Sequence, residues 1–92
     1  MCSDISVNHD QVAHQFWVEV QGHRAYLVYM DLGKKTFDFY RTFVPEALRG
    51  QGIAGKLVAA GLDYAREQGY VVIPSCSYVE RYLHRHPEEN AR

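Results

Sequence analysis

A chain of 92 residues with ten Lys or Arg, eleven Asp or Glu and a formal net charge of −1 makes one small domain, without room for a second core. So even a balance argues against a general nucleic-acid surface and against an acidic or basic interaction tail. Hydrophobic residues make up 47% of the chain and include seven tyrosines and four phenylalanines, enough for a core without disulfide or metal staples.

The only cysteines, Cys2 and Cys76, lack the spacing of a zinc site and build no disulfide framework. No metal is expected, and a reducing cytoplasm suits the chain. Met1 to Ser6 has neither a basic leader nor a long apolar run, so no signal peptide is expected. No run is long enough to span a bilayer, and no membrane association is expected.

Residues 1 to about 13 are polar and irregular and are expected to be disordered, with the core of the domain at about 14–87. From His14 to Gln21 apolar and polar residues alternate, with Phe16, Val18 and Val20 on one face, which predicts a strand. Gln21-Gly22-His23 forms a turn into a second strand, Arg24 to Asp31. Leu32-Gly33-Lys34-Lys35 forms a second turn into a third strand, Thr36 to Val44. Strict alternation in that strand places Phe37, Phe39 and Phe43 on one face and Tyr40, Thr42 and Val44 on the other. Three strands joined by short turns make an antiparallel meander.

A helix is predicted from about Gly52 to Gln68, ending before Gly69, with a wide apolar face that implies packing across a sheet. Tyr70 to Pro74 follows as a short apolar strand. Strand, helix, strand predicts a right-handed crossover, with this fourth strand parallel to the third. Ser77 and Glu80 form a capping-box pattern, with Ser77 as N-cap, for a short last helix through about Arg85, ending before Pro87. The fold class is α+β: meander, crossover helix, parallel fourth strand, C-terminal helix.

The segment from Val44 to Lys56 joins the third strand to the long helix through Arg49, Gly50 and Gly52. Glycines there let backbone N–H groups approach a ligand, and the first N–H groups of a helix lack internal partners at the positive end of its dipole. Such a junction suits phosphate. It lacks the Gly-Lys-Ser/Thr ending of a Walker loop, and it follows a meander rather than the first strand of a dinucleotide fold. By spacing alone, an ordinary strand-to-helix turn and an anion cradle are equally well supported.

Arg49-x-x-Gly52-x-Ala54 is similar to the R/Q-x-x-G-x-G/A signature of the GNAT-type acyl-CoA N-acetyltransferases, and the order of elements around it is similar too. With Thr42-Phe43-Val44-Pro45, the run from Leu48 to Ala54, the run from Ile73 to Val79, and His86-Pro87, the chain resembles the minimal single-domain branch of that superfamily from about residue 16 onward. The resemblance implies acetyl-CoA as cosubstrate. Its pyrophosphate would lie on the amides of Arg49, Gly50, Gln51, Gly52, Ile53 and Ala54, and its pantetheine arm along the backbone of Thr42, Phe43 and Val44. Arg49 and Lys56 are the candidates for phosphate charge. The implied activity is acetyl transfer to an amine acceptor that the sequence does not identify, by a monomer or weak dimer. The alternative is a non-catalytic CoA-binding module.

Cys76 is the candidate catalytic residue. A thiol near a helix N-terminus has a depressed pKa, and the resemblance places this strand end beside the thioester. It would act either as nucleophile carrying the acetyl group or as acid protonating the departing CoA thiolate; a small packed residue is the third reading. Tyr78 and Tyr82, four apart on the last helix, are expected to pack in the core, although larger members of the superfamily use a tyrosine from this region as general acid. His84 and His86 lie two apart and do not form a metal pair; one of them as a base is a weaker reading. His9, His14 and His23 are expected at the surface. Two departures stand out. The helices that shape the acceptor site in larger members are replaced by Gln21-Gly22-His23, and where many members of this branch carry His and Glu before Val-Pro, this chain has Arg41 and Phe43.

Overall fold

In the computed structural model, which describes residues 6–85, the alternating segments become strands of one sheet. The strands are β1 (Asn8–Asp10), β2 (Gln15–Val20), β3 (His23–Gly33), β4 (Thr36–Phe43) and β5 (Val71–Ile73), and they lie side by side in that order. The first four are antiparallel neighbours, and β5 runs parallel to β4. Helix α1 (Ile53–Gln68) makes the crossover, a 3-10 turn at Glu46–Leu48 leads into it, and α2 (Ser77–Arg85) follows β5. The predicted α+β meander with its parallel last strand is therefore the architecture found. Among the described residues no helix is long and apolar enough to cross a membrane.

One face of the sheet, built from Phe16, Val18, Ala25, Leu27, Tyr29, Phe37 and Phe39, packs against Ile53, Leu57, Val58, Leu62 and Ala65 of α1. Val79 and Leu83 bring α2 into the same core. The helix lies close because Gly61 has no side chain: a Cβ there would sit 2.8 Å from a ring carbon of Phe39 and 3.1 Å from Leu27. Phe39 is fully buried and has nowhere to retreat. Gly61→Ala is therefore expected to destabilise, even though alanine favours the helix by about 1 kcal/mol, because overpacking costs typically ~1–3 kcal/mol. A melting temperature equal to or above wild type would show that the interface relaxes freely.

Two differences from the sequence expectation matter for the site. The first is a β-bulge. Val28 stands opposite Arg41 and Tyr29 opposite Phe39, so Tyr40 is an extra residue on β4. One extra residue reverses the alternation beyond it. Thr42 thus pairs with Leu27 on the core side, and Val44 packs against the core. Phe43 pairs with Tyr26, ring centroids 5.3 Å apart, on the face away from α1. Strict alternation had put Phe43 with Phe37 and Phe39.

The second difference is β1, in a stretch read as irregular. Asn8-His9-Asp10 has no apolar alternation to announce a strand. It is held by pairing with β2, by Asp10 Oδ1 accepting the N–H groups of Val12 and Ala13, and above all by His9. That imidazole stacks on Phe16 at 4.1 Å, meets the Tyr64 ring edge-on at 4.4 Å, and shares a 2.6 Å hydrogen bond between Nε2 and the Tyr29 hydroxyl. His9 is thus partly buried rather than at the surface, His14 is partly buried too, and His23 is exposed as expected.

Burial lowers the His9 pKa from its ordinary value; neighbouring Asp10 partly opposes this, and His14 reinforces it. The same surroundings push the Tyr29 hydroxyl up to about 12, through burial first and then Tyr64, Asp31, Asp10 and Tyr70. A base whose folded pKa is depressed contributes stability above its unfolded value, roughly 6.5, and loses it as pH falls through that value. The melting temperature is therefore expected to fall between about pH 7.5 and 5.5, and His9→Phe is expected to flatten that slope. Parallel pH profiles for the two proteins would remove His9 from the explanation.

Candidate active site

Between β4 and α1 the chain passes Gly50 and Gly52, both with positive φ (85° and 73°), and a Cβ at either would point into open space. Gly52 is the N-cap of α1, in the left-handed region, and it offers no capping side chain. The first turn holds no acidic residue. The N–H of Lys56 donates to the Gly52 carbonyl at 3.2 Å, so the helical ladder begins there and leaves the N–H groups of Ile53, Ala54 and Gly55 without helical partners. Uncapped amides, a positive dipole end and open space above two glycines are what a pyrophosphate requires. The Ile53 side chain is buried, so only its backbone serves the site, whereas Gln51 and Lys56 are exposed. Arg49 is exposed as well, and its Nε donates to the Val44 carbonyl at 3.2 Å, which holds the guanidinium at the loop. A cleft of about 230 Å³ opens here, lined by Val44, Leu48, Arg49, Gly50, Gly52, Ile53, Ala54 and Tyr78.

The second half of the site arises where β4 and β5 part. Their pairing covers only Thr36 to Asp38 against Val71 to Ile73. One further bond follows, from the Cys76 N–H to the Phe39 carbonyl at 2.9 Å. Beyond it β4 continues without a strand on that side; there the Thr42 backbone hydrogen-bonds the Cys76 sulfur and the Val44 carbonyl accepts Arg49 Nε at 3.2 Å. Cys76 stands at the point of divergence. Its carbonyl accepts the Glu80 N–H at 3.0 Å, which makes Cys76 the N-cap of α2, one residue earlier than the expected Ser77.

The thiol fills the role of a capping side chain. Burial raises its pKa, but hydrogen bonds from the Thr42 side chain and from the backbone of Val79, Tyr78 and Thr42 outweigh burial and leave it below its ordinary value. The Thr42 Oγ1 to Cys76 Sγ distance is 3.4 Å. Cys76 is only partly buried, and the hydrogen bonds on its sulfur raise the thiolate fraction.

The structure brings together Thr42 and Cys76, and joins Val44 to the glycine loop. It does not bring Phe43's side chain to them, since that ring packs on Tyr26 on the other face of the sheet. Tyr78 packs against the core as expected and also lines the cleft, and its hydroxyl would lie 3.6 Å from a Cβ on Gly55. The proximity of Gly55 to Tyr78 and Tyr82 across the fold has no local signature. Leu48 was not singled out either, and it forms buried wall. His84 is exposed, eight residues along α2 from the cap, about 12 Å by helical rise, and so is no partner for the sulfur. His86 and Pro87 lie outside the described residues, as does Cys2. Among the described residues no group of three His, Cys, Asp or Glu could hold a metal ion.

Comparison with known proteins bears on this arrangement. A family model described as GCN5-related N-acetyl-transferase matches residues 15–92. Protein NATD1 of Xenopus tropicalis is 40% identical over 87 residues, covering 92% of this chain and 80% of that protein. Protein NATD1 of Homo sapiens is 39% identical over 85 residues, covering 90% and 75% respectively. The solution structure of a GCN5-like protein from Staphylococcus aureus superposes with a TM-score of 0.74 at 23% identity, covering 97% of this chain and 87% of the other. That likeness is one of fold.

Proposed function

The chain belongs to the GCN5-related N-acetyltransferase family, and on that premise we propose that it binds acetyl-CoA and transfers the acetyl group to an amine through a thioester on Cys76. The observation that carries this reading is the sulfur's position: just past the end of β5, where the sheet opens, with hydrogen bonds from the α2 N-terminus and from Thr42 that lower its pKa.

In this reading the amides of Gly50 to Gly55 receive the pyrophosphate, with Arg49 and Lys56 adding positive charge. The backbone groups of β4 from Thr42 to Val44 that Cys76 and Arg49 leave free would take the pantetheine amides, as an exposed strand edge takes an extended chain. The Cys76 thiolate attacks the acetyl carbonyl; a Sγ–C bond forms, the C–S bond to CoA breaks, and CoA leaves as thiolate, to be protonated by solvent. A neutral amine then attacks the new thioester. The N–C bond forms, Cys76 departs as thiolate, and the amine's surplus proton passes to water.

A thiol pKa below its ordinary value raises the thiolate fraction, which supports the nucleophile reading. Arg41 and Phe43, in the positions where many members of this branch carry His and Glu, do not replace a base: Phe43 faces away from the cleft, and a guanidinium side chain offers donors and no acceptor.

Two measurements on the wild-type protein test the proposal. CoA should raise the melting temperature in a concentration-dependent way, because a ligand that binds only the folded state stabilises it by mass action. Brief incubation with acetyl-CoA should then add the mass of one acetyl group at Cys76, discharged on adding amine. Stabilisation without an adduct or any amine acetylation would leave a CoA-binding module; no stabilisation would remove the site altogether.

A further inference from the structure

We propose that the Thr42 side chain is the positioning residue for Cys76, its hydroxyl donating to Sγ and fixing the sulfur at the mouth of the β4–β5 opening. This rests on the acetyl-carrier reading of Cys76. The supporting geometry is the bulge at Tyr40. Without the extra residue, position 42 would face away from α1, and Arg41 or Phe43 would face the sulfur across the opening. With it, a short neutral hydroxyl stands 3.4 Å from Sγ. Bulges of this kind re-aim side chains beside active sites.

Thr42 differs from the other donors on the sulfur. The N–H groups of Tyr78 and Val79 belong to the helix end and approach any N-cap side chain. The Thr42 hydroxyl, with the Thr42 backbone beside it, comes from another element and ties the cap of α2 to the strand that borders the cleft; of the two, only the hydroxyl is removed by substitution. A threonine hydroxyl also rotates, so it can donate to the thiolate and turn away once the sulfur carries an acetyl group. When amine displaces that group the thiolate returns and the donor is again in place. Both half-reactions would therefore depend on it, the first through thiolate population and the second through stabilisation of the leaving sulfur.

The test is the pH dependence of Cys76 alkylation by iodoacetamide, read by mass on the Cys76 peptide so that Cys2 does not contribute. Thr42→Val keeps the shape and removes the hydroxyl; Thr42→Ser keeps the hydroxyl. A donor to an ionised partner is worth enough that the valine variant should react roughly threefold to tenfold more slowly at pH 7, with its profile displaced to higher pH. Serine should restore the wild-type profile. Acetyl loading from acetyl-CoA should fall in step with alkylation. If the valine variant does not melt cooperatively, Thr42→Ala makes the same comparison. A profile superimposable on wild type in a folded variant lacking the hydroxyl overturns the proposal, even where wild type loads acetyl. A displaced profile together with a wild type that never loads acetyl supports the Thr42 hold on the thiol and overturns the carrier reading instead.

Discussion

Gly52→Asp is expected to weaken CoA binding by about 100-fold or more while the protein remains folded. The position is exposed, with open space where the side chain would go, so there is no core to disturb. Aspartate tolerates the left-handed region better than most residues and is a favoured N-cap, so the cost of φ near 73° is partly offset by a cap that Gly52 does not supply. Its carboxylate, however, would occupy the same uncapped amides that are proposed to receive the pyrophosphate. It would also add negative charge within a few ångströms of two phosphates. At an effective dielectric near 20, one such pair about 4 Å apart costs ~4 kcal/mol before salt screening, more than the ~2.7 kcal/mol that a 100-fold loss represents. The check is thermal stabilisation by CoA across a concentration series: the variant should melt cooperatively alone and need at least a hundredfold more CoA for the same shift. An unchanged CoA response would place the phosphates elsewhere.

How much of this was legible in the residues can be traced element by element. Long-period features read well. The apolar alternation of Phe16-Val18, the turn at Gln21-Gly22 and the stripe Ile53-Leu57-Gly61 each carry their own periodicity, and the order of elements fixed the parallel last strand. The glycine loop read well because a positive φ is a local demand that glycine meets. What failed was whatever tertiary contact decides. No local pattern marks the bulge at Tyr40, which exists only as a mismatch between two strands, yet it determines which of Thr42 and Phe43 faces the sulfur. Strand β1 was invisible because its hold comes from one imidazole against Phe16, Tyr29 and Tyr64 rather than from alternation. Tyr78 packs against the core as expected, but its second place, on the cleft wall, was not legible for the same reason: nothing in Ser77-Tyr78-Val79 shows that Gly55 on another helix leaves room beside it. The cap of α2 shifted by one because Ser77 and Glu80 satisfied a pattern that a thiol satisfies less commonly.

That shift makes Cys76→Ser and Cys76→Ala separable experiments. If Cys76 were only a packed residue, its loss would be felt in stability and little in transfer. If it is N-cap and nucleophile together, as proposed, it has two roles that serine divides. Serine ranks among the best N-caps, and its shorter Oγ can accept the N–H groups of Tyr78 and Val79, so α2 should remain anchored and the melting temperature close to wild type. Its hydroxyl is not ionised at neutral pH and has no base at hand, so the acetyl adduct should vanish and amine acetylation should fall at least about 100-fold. Alanine removes both, and should add a loss of about 1 kcal/mol, a few degrees in a domain of this size, to the same loss of transfer. Intact mass after acetyl-CoA, the rate of amine acetylation and thermal melts on the three proteins decide the matter. Full transfer by the serine variant would mean direct attack by the amine on bound acetyl-CoA. Cys76 would then be a cap that stands near the chemistry without taking part in it.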